Sequence, residues 1–155
     1  MGRSYFRNCA SERLYQLTIL RRCKASSEQL LQVYITQIRS VLEYACPVWH
    51  PGLTKEQCNS LESVQKRALR IILPGVDYTN ALEALNIPSL EVRRKVLCEK
   101  LFKNIQSPRN KLFHLMPDKR SVNYNLRSVK RFELPKLRTK RGKGSFINWA
   151  LLNLQ

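Results

Sequence analysis

The stretch SSEQLLQVYITQIRSVLEYACP, residues 26–47, decides the fold class. Ser26 and Gln29 stand three positions apart, the spacing of a capping box. Behind them Leu30, Tyr34, Ile38, Val41, Leu42 and Ala45 fall on one face of a helix. Pro47 has no N–H to donate and clashes with the turn before it, so the helix stops within a residue or two of Tyr44.

The flanking segments read the same way. A first helix is expected over about residues 11–23, capped by Ser11 and marked by Leu14, Leu17 and Leu20, with Ile19 broadening the face. Arg21, Arg22 and Lys24 crowd its C-terminal end, where the helix dipole favours cations. Residues 46–52 form a loop by composition, apolar enough that Trp49 should be buried as a plug. Thr54 and Gln57 make a second capping box. The helix they open has an inner stripe of Leu61, Val64, Ala68 and Ile71 or Ile72, with Lys66, Arg67 and Arg70 outside; Pro74 and Gly75 end it. A short helix follows over about residues 79–85, with Asn86 as its left-handed stop. Ser89 caps a fifth helix, whose buried stripe is Leu90, Leu97, Leu101 and Ile105 with Phe102, and Pro108 ends it. Five Gly and seven Pro in 155 residues are few for a strand-rich barrel. The expected fold is all-α: an irregular bundle of about five helices over residues 1–117, a basic arm over 118–144, and a short, truncated terminal helix over 145–155.

Charge is the loudest compositional signal. Lys and Arg number 28 against 11 Asp and Glu, a formal net charge of +17. Such an excess opposes compaction unless a polyanion neutralises it, and nucleic acid is the commonest. No stretch approaches the roughly 18–20 apolar residues of a membrane span, so no membrane partner is expected. The N-terminal residues lack the apolar region of a secretory signal. The cysteines, Cys9, Cys23, Cys46, Cys58 and Cys98, are odd in number and none forms a C-x-x-C pair. Reduced thiols in the nucleus or cytoplasm fit this pattern best.

Residues 119–143 carry ten Lys or Arg and one acid, Glu133. Arg127, Lys130, Arg131, Lys136, Arg138, Lys140, Arg141 and Lys143 would neutralise phosphates there, and Arg70 would join them from the third helix. If about six engage a duplex, log affinity should fall with log salt at a slope near −5. Tyr124 and Phe132 are placed to stack on unpaired bases. The plain alternative is a solvated tail or a nuclear-import signal. For Lys66 the plain alternative, an i,i+4 pair with Glu62, is the better reading. Cys46 and His50 are four positions apart, but a structural zinc site needs four closely paired ligands, and the other His is His114. A Cys46–His50 nucleophile is no better supported, since an apolar setting keeps a thiol unreactive. Tyr44 and Trp49, with apolar flanks, are assigned to packing. No metal and no cofactor are expected.

The run Val41-Leu42-Glu43-Tyr44-Ala45-Cys46-Pro47-Val48-Trp49-His50, then Gly52-Leu53-Thr54, then Leu61-Glu62-Ser63-Val64-Gln65-Lys66-Arg67-Ala68-Leu69-Arg70-Ile71-Ile72, resembles the region after the polymerase palm in reverse transcriptases of non-LTR retrotransposons of the jockey and CR1-like kinds. Leu85, Pro88-Ser89-Leu90, Arg93-Arg94, Leu101-Phe102-Lys103, Tyr124, Leu126-Arg127, Arg138-Thr139-Lys140-Arg141 and Ser145-Phe146-Ile147 extend the resemblance over about residues 11–147. It implies a thumb-like and C-terminal region that grips template and primer. The family's chemistry needs palm carboxylates, one pair in a Tyr-x-Asp-Asp motif, converging on two metal ions about 4 Å apart. This sequence has no such motif, and its Asp residues, Asp77 and Asp118, stand far apart. The family's Trp-Asn-x-Leu-Pro run after Ser-Phe-Ile is scrambled here into Asn148-Trp149 and Asn153-Leu154-Gln155. The expectation is a noncatalytic nucleic-acid-binding fragment of such a polymerase, acting on an RNA–DNA hybrid or single strand, with a palm domain elsewhere as a possible partner. The alternatives are a helical protein-interaction module, its groove on the first two helices and its basic arm a localisation signal, or a retrotransposon relic without function.

Overall fold

In a computed structural model of the chain the described residues are 2–118, 132, 136 and 138–154, with backbone only for 2–11, 140 and 141. They are mostly helical and form no sheet. The helices are α1 (Gly2–Arg22), α2 (Ser27–Val33), α3 (Ser40–Glu43), α4 (Cys46–Trp49), α5 (Lys55–Ile72), α6 (Tyr78–Ala84), α7 (Leu90–Ile105), α8 (Lys140–Lys143) and α9 (Phe146–Asn153). Contacts divide the chain into two units, residues 1–46 with 53–94, and residues 47–52 with 95–155. The division falls at Arg94, inside α7, and not at the start of the basic arm.

In the first unit, both expected capping boxes are present. Gln29 N–H donates to Ser26 Oγ at 3.3 Å while Ser26 N–H donates to Gln29 Oε1 at 3.0 Å. Thr54 and Gln57 repeat the exchange at 3.3 and 3.1 Å. Each cap satisfies helix-end amides that would otherwise lack acceptors. Between α2 and α3 the chain widens into a π-helical segment, Tyr34–Arg39. The buried residues explain the widening. Leu30, Tyr34, Ile38 and Leu42 repeat strictly every four residues, and on a regular α-helix a four-residue step overshoots one turn by about 40°. A wider turn brings the four side chains back into line.

α1 begins at Gly2, well before Ser11, so Ser11 lies inside the helix and caps nothing. Leu14 and Leu17 are buried as expected, but Ile19 and Leu20 are exposed, so the inner face is narrower than its leucines suggest. The helix closes on Lys24 at φ 61°, with Ala25 N–H donating to Leu20 C=O and Lys24 N–H to Arg21 C=O. That pattern is a Schellman motif with Lys in the place usually held by Gly. Asn86, at φ 49°, closes α6 in the same way, with the next residue, Ile87, buried.

α5 turns Val64, Ala68, Leu69 and Ile72 onto Leu14, Leu17, Leu30, Tyr34, Ile38 and Leu42, and Ala81, Ile87 and Leu90 complete this core. Ala45, expected on the inner stripe, is exposed at φ 48°. Tyr44 is 69% exposed and does not serve packing as expected. Both follow from the chain leaving the helix at Tyr44, where ψ turns to 127°.

The second unit has its own small core. Phe102 of α7, Phe132, and Ala150 and Leu151 of α9 are buried together, with Met116, Phe146, Ile147, Trp149 and Leu154 around them. The terminal segment thus forms the short docked helix its apolar run implies. Residues 46–52 form the turn α4 and a 3₁₀ turn, His50–Gly52, in place of the expected loop. Pro47 is accommodated near the start of α4, where a missing N–H costs nothing. Trp49 is only partly buried, so it is no plug. His50 packs edge-on against Trp149, ring centroids 5.2 Å apart.

Candidate nucleic-acid interface

The exposed face of α5 is built by what its inner face removes. Glu62 lies one turn before Lys66, the spacing of a surface ion pair. It turns inward instead. Its Oε1 accepts from the Tyr78 hydroxyl and, at 3.3 Å, from Leu90 N–H at the start of α7. Gln65, fully buried on the same helix, donates from Nε2 to Tyr78 Oη and to Pro88 C=O, both at 3.2 Å. Its Oε1 accepts from the Tyr34 hydroxyl at 2.6 Å. Burial pushes the Tyr34 hydroxyl far above its usual range. Burial, and then donation to the Glu62 carboxylate, does the same for Tyr78. Both hydroxyls therefore stay protonated as donors at any ordinary pH.

Lys66, Arg67 and Arg70 are left on the outside of α5, all exposed. Arg39 and Arg93 pair with Glu43, and among the described residues no ion pair of Lys66, Arg67 or Arg70 is seen. Arg93 grips Glu43 with two bonds of 3.0 and 2.9 Å. The Lys66 ammonium lies over the Tyr78 ring, 5.1 Å from its centroid. The nearby acid, Asp77, is occupied as the N-cap of α6, where it accepts from Thr79 N–H at 3.2 Å and from the Thr79 hydroxyl at 2.7 Å. That hydroxyl bond is the main reason its carboxyl sits below the usual range. The expected Glu62–Lys66 pair is thus absent, because Tyr78 and the α7 amide hold the carboxylate instead.

Of the arm's expected contacts, Lys136, Arg138 and Lys143 are exposed. Lys140 and Arg141 belong to α8, but their side chains lie outside the described residues, as do Arg127, Lys130, Arg131 and Tyr124 altogether. Phe132 corrects its expectation. It is 5% exposed and packed in the second core, so its ring is not presented to bases. Its basic neighbours suggested exposure, and nothing local announces that Phe102 and α9 cover it.

Sequence reasoning missed the interior polar cluster. Arg94 is 1% exposed, and its Nε and Nη2 have no hydrogen-bond partner among the described residues; Glu62 Oε2 has none either. Cys46 is buried, its Sγ 3.9 Å from Arg94 C=O, and cannot act as an open nucleophile. No three His, Cys, Asp or Glu side chains among the described residues converge as a metal site would need. No described helix is long and apolar enough to cross a membrane. Compared with family models, curated proteins and solved structures, the chain matches none.

Proposed function

We propose that the chain is a noncatalytic nucleic-acid-binding segment, of the kind that follows the palm in non-LTR retrotransposon reverse transcriptases, gripping a single strand or an RNA–DNA hybrid without reading its sequence. The observation that carries this reading is the outer face of α5. Three cations stand on a rigid helix while the acid spaced to neutralise them is held inside. A helical module of net charge +17 that leaves such a face open is suited to a polyanion. The arm's exposed Lys136, Arg138 and Lys143 add charge of the same sign.

The test is binding of the full chain to a labelled single strand, a duplex and an RNA–DNA hybrid across a salt series. Log affinity for the single strand should fall linearly with log salt. Replacing Lys66, Arg67 and Arg70 together by Gln should make that slope shallower by about 2, at about 0.7 per phosphate contact. No binding at low salt, or a slope untouched by the triple replacement, rules the reading out for this face. A second reading, a protein-docking helix, rests on Tyr15 and Ile19, exposed one turn apart on α1. Association through those residues would hardly respond to salt.

A further inference from the structure

Lys66 differs from its neighbours Arg67 and Arg70 in having a seat. A Lys side chain in water samples many rotamers, and fixing one carries an entropy cost. The Lys66 ammonium instead lies over the Tyr78 ring at 5.1 Å, within cation–π range. The ring is itself held. Its hydroxyl donates to Glu62 and accepts from Gln65 Nε2, and Gln65 is tied to Tyr34 and Pro88. The seat is therefore anchored to the interior of the first unit, although Tyr78 itself is only partly buried. The carboxylate of Asp77, which could draw the ammonium aside, is engaged with Thr79.

We infer that Tyr78 is a positioning residue that presents Lys66 as a preset phosphate contact on the α5 face. This rests on the nucleic-acid reading above and deepens it, since the ligand group is a backbone phosphate of a single strand. The ring leaves the ammonium's charge intact and supplies no hydrogen-bond acceptor of its own, so the N–H donors remain free for phosphate oxygens. Preset geometry lets the contact form without the ordering cost paid by a mobile lysine.

The experiment uses the full chain, oligothymidylate as probe, and the slope of log affinity against log salt as readout. A loss of stability alone does not move this slope. Lys66→Ala should make it shallower by about 0.7, one phosphate contact. Tyr78→Leu should do the same, the double variant should lose no more than either single one, and Tyr78→Phe, which keeps the ring but loses the hydroxyl that holds it and Glu62, should fall between the parent and Tyr78→Leu. Nuclear magnetic resonance adds a check that needs no variant. The Lys66 ε-methylene protons should lie upfield, in the ring current of Tyr78, and should shift on adding oligothymidylate. A Tyr78→Leu slope equal to the parent's, additive losses in the double variant, or unshifted ε-protons would each overturn the inference. If Lys66→Ala has no effect while replacing Arg67 and Arg70 does, the inference falls and the nucleic-acid reading stands. If no variant changes binding, both fall.

Discussion

α5 turns Gln65 into the first unit and α7 turns Arg94 inward, and the two buried polar groups are treated differently. Gln65 makes bonds to Tyr34, Tyr78 and Pro88, so both its amide oxygen and its nitrogen are satisfied. Arg94 carries a full charge, yet two of its nitrogens have no partner among the described residues. One helix uses its polar residue to fix its neighbours; the other retains a charge with little visible return. Buried polar groups stabilise only when their hydrogen bonds are made, so the two helices should respond in opposite ways to apolar replacement. They also differ in how faithfully the leucine pattern marks the buried stripe. On α5 the expected Val64, Ala68 and Ile72 are buried, joined by Gln65 and Leu69, while Leu61 of the expected stripe is partly covered. On α7 the fully buried line is Leu90, Arg94, Cys98, Phe102 and Ile105, while Leu97 and Leu101 are only partly covered.

The largest effect should come from that second difference. Leu69→Ala on α5 removes a fully buried side chain and should cost about 2–5 kcal/mol. Leu97→Ala on α7 should cost clearly less, although the sequence alone ranks it as core. Urea unfolding of both variants measures this. Equal losses would mean that α7 packs on its leucine stripe after all.

The legible features are the local ones. The capping boxes at Ser26 and Thr54 and the left-handed stop at Asn86 are written within a few residues, so their chemistry shows in spacing alone. The α9 docking helix was legible because an apolar burst follows a basic stretch. The start of α1 was not, since no Pro and no interior Gly interrupts residues 3–22, and Ser11 is tolerated inside a helix. Nor was the fate of Glu62. Its sequence neighbour Lys66 offered an i,i+4 pair, while its actual donor, Tyr78, lies 16 residues away. The candidate site was therefore half visible. The cations of α5 could be named, but the lack of a Glu62 partner for Lys66 depends on a tertiary contact. Phe132 failed for the same reason, its cover coming from α7 and α9.

An intermediate effect should sharpen the contrast between Gln65 and Arg94. Gln65→Leu strands the buried Tyr34 hydroxyl and the Pro88 carbonyl, at about 1–3 kcal/mol for each group left unsatisfied. Arg94→Met removes a buried charge and keeps an unbranched chain of similar length. Its stability should lie within about 1 kcal/mol of the parent's or above it. If Arg94→Met instead unfolds the protein as readily as Gln65→Leu, then Arg94 neutralises a group that its loss leaves buried and charged.

The smallest effect concerns Asp77, whose exposed carboxylate caps α6 next to the Lys66 seat. Its carboxyl lies below the usual range, chiefly through the bond from the Thr79 hydroxyl. A carboxyl whose folded-state pKa is depressed adds stability at pH values above its unfolded pKa, and that contribution is lost as pH falls through the lower folded value. Parent and Asp77→Ala should therefore differ in melting temperature near neutral pH and converge in acid. Asp77→Asn should track the parent near neutrality, because Asn caps helices as well as Asp does. It should then keep its cap in acid, where the parent loses it, because an amide does not titrate there. Melting curves of the three proteins from neutral pH down through the carboxylate range decide the point. If the gap between parent and Asp77→Ala persists unchanged in acid, the side chain caps the first turn of α6 in its protonated form as well, and the ionised carboxylate adds nothing.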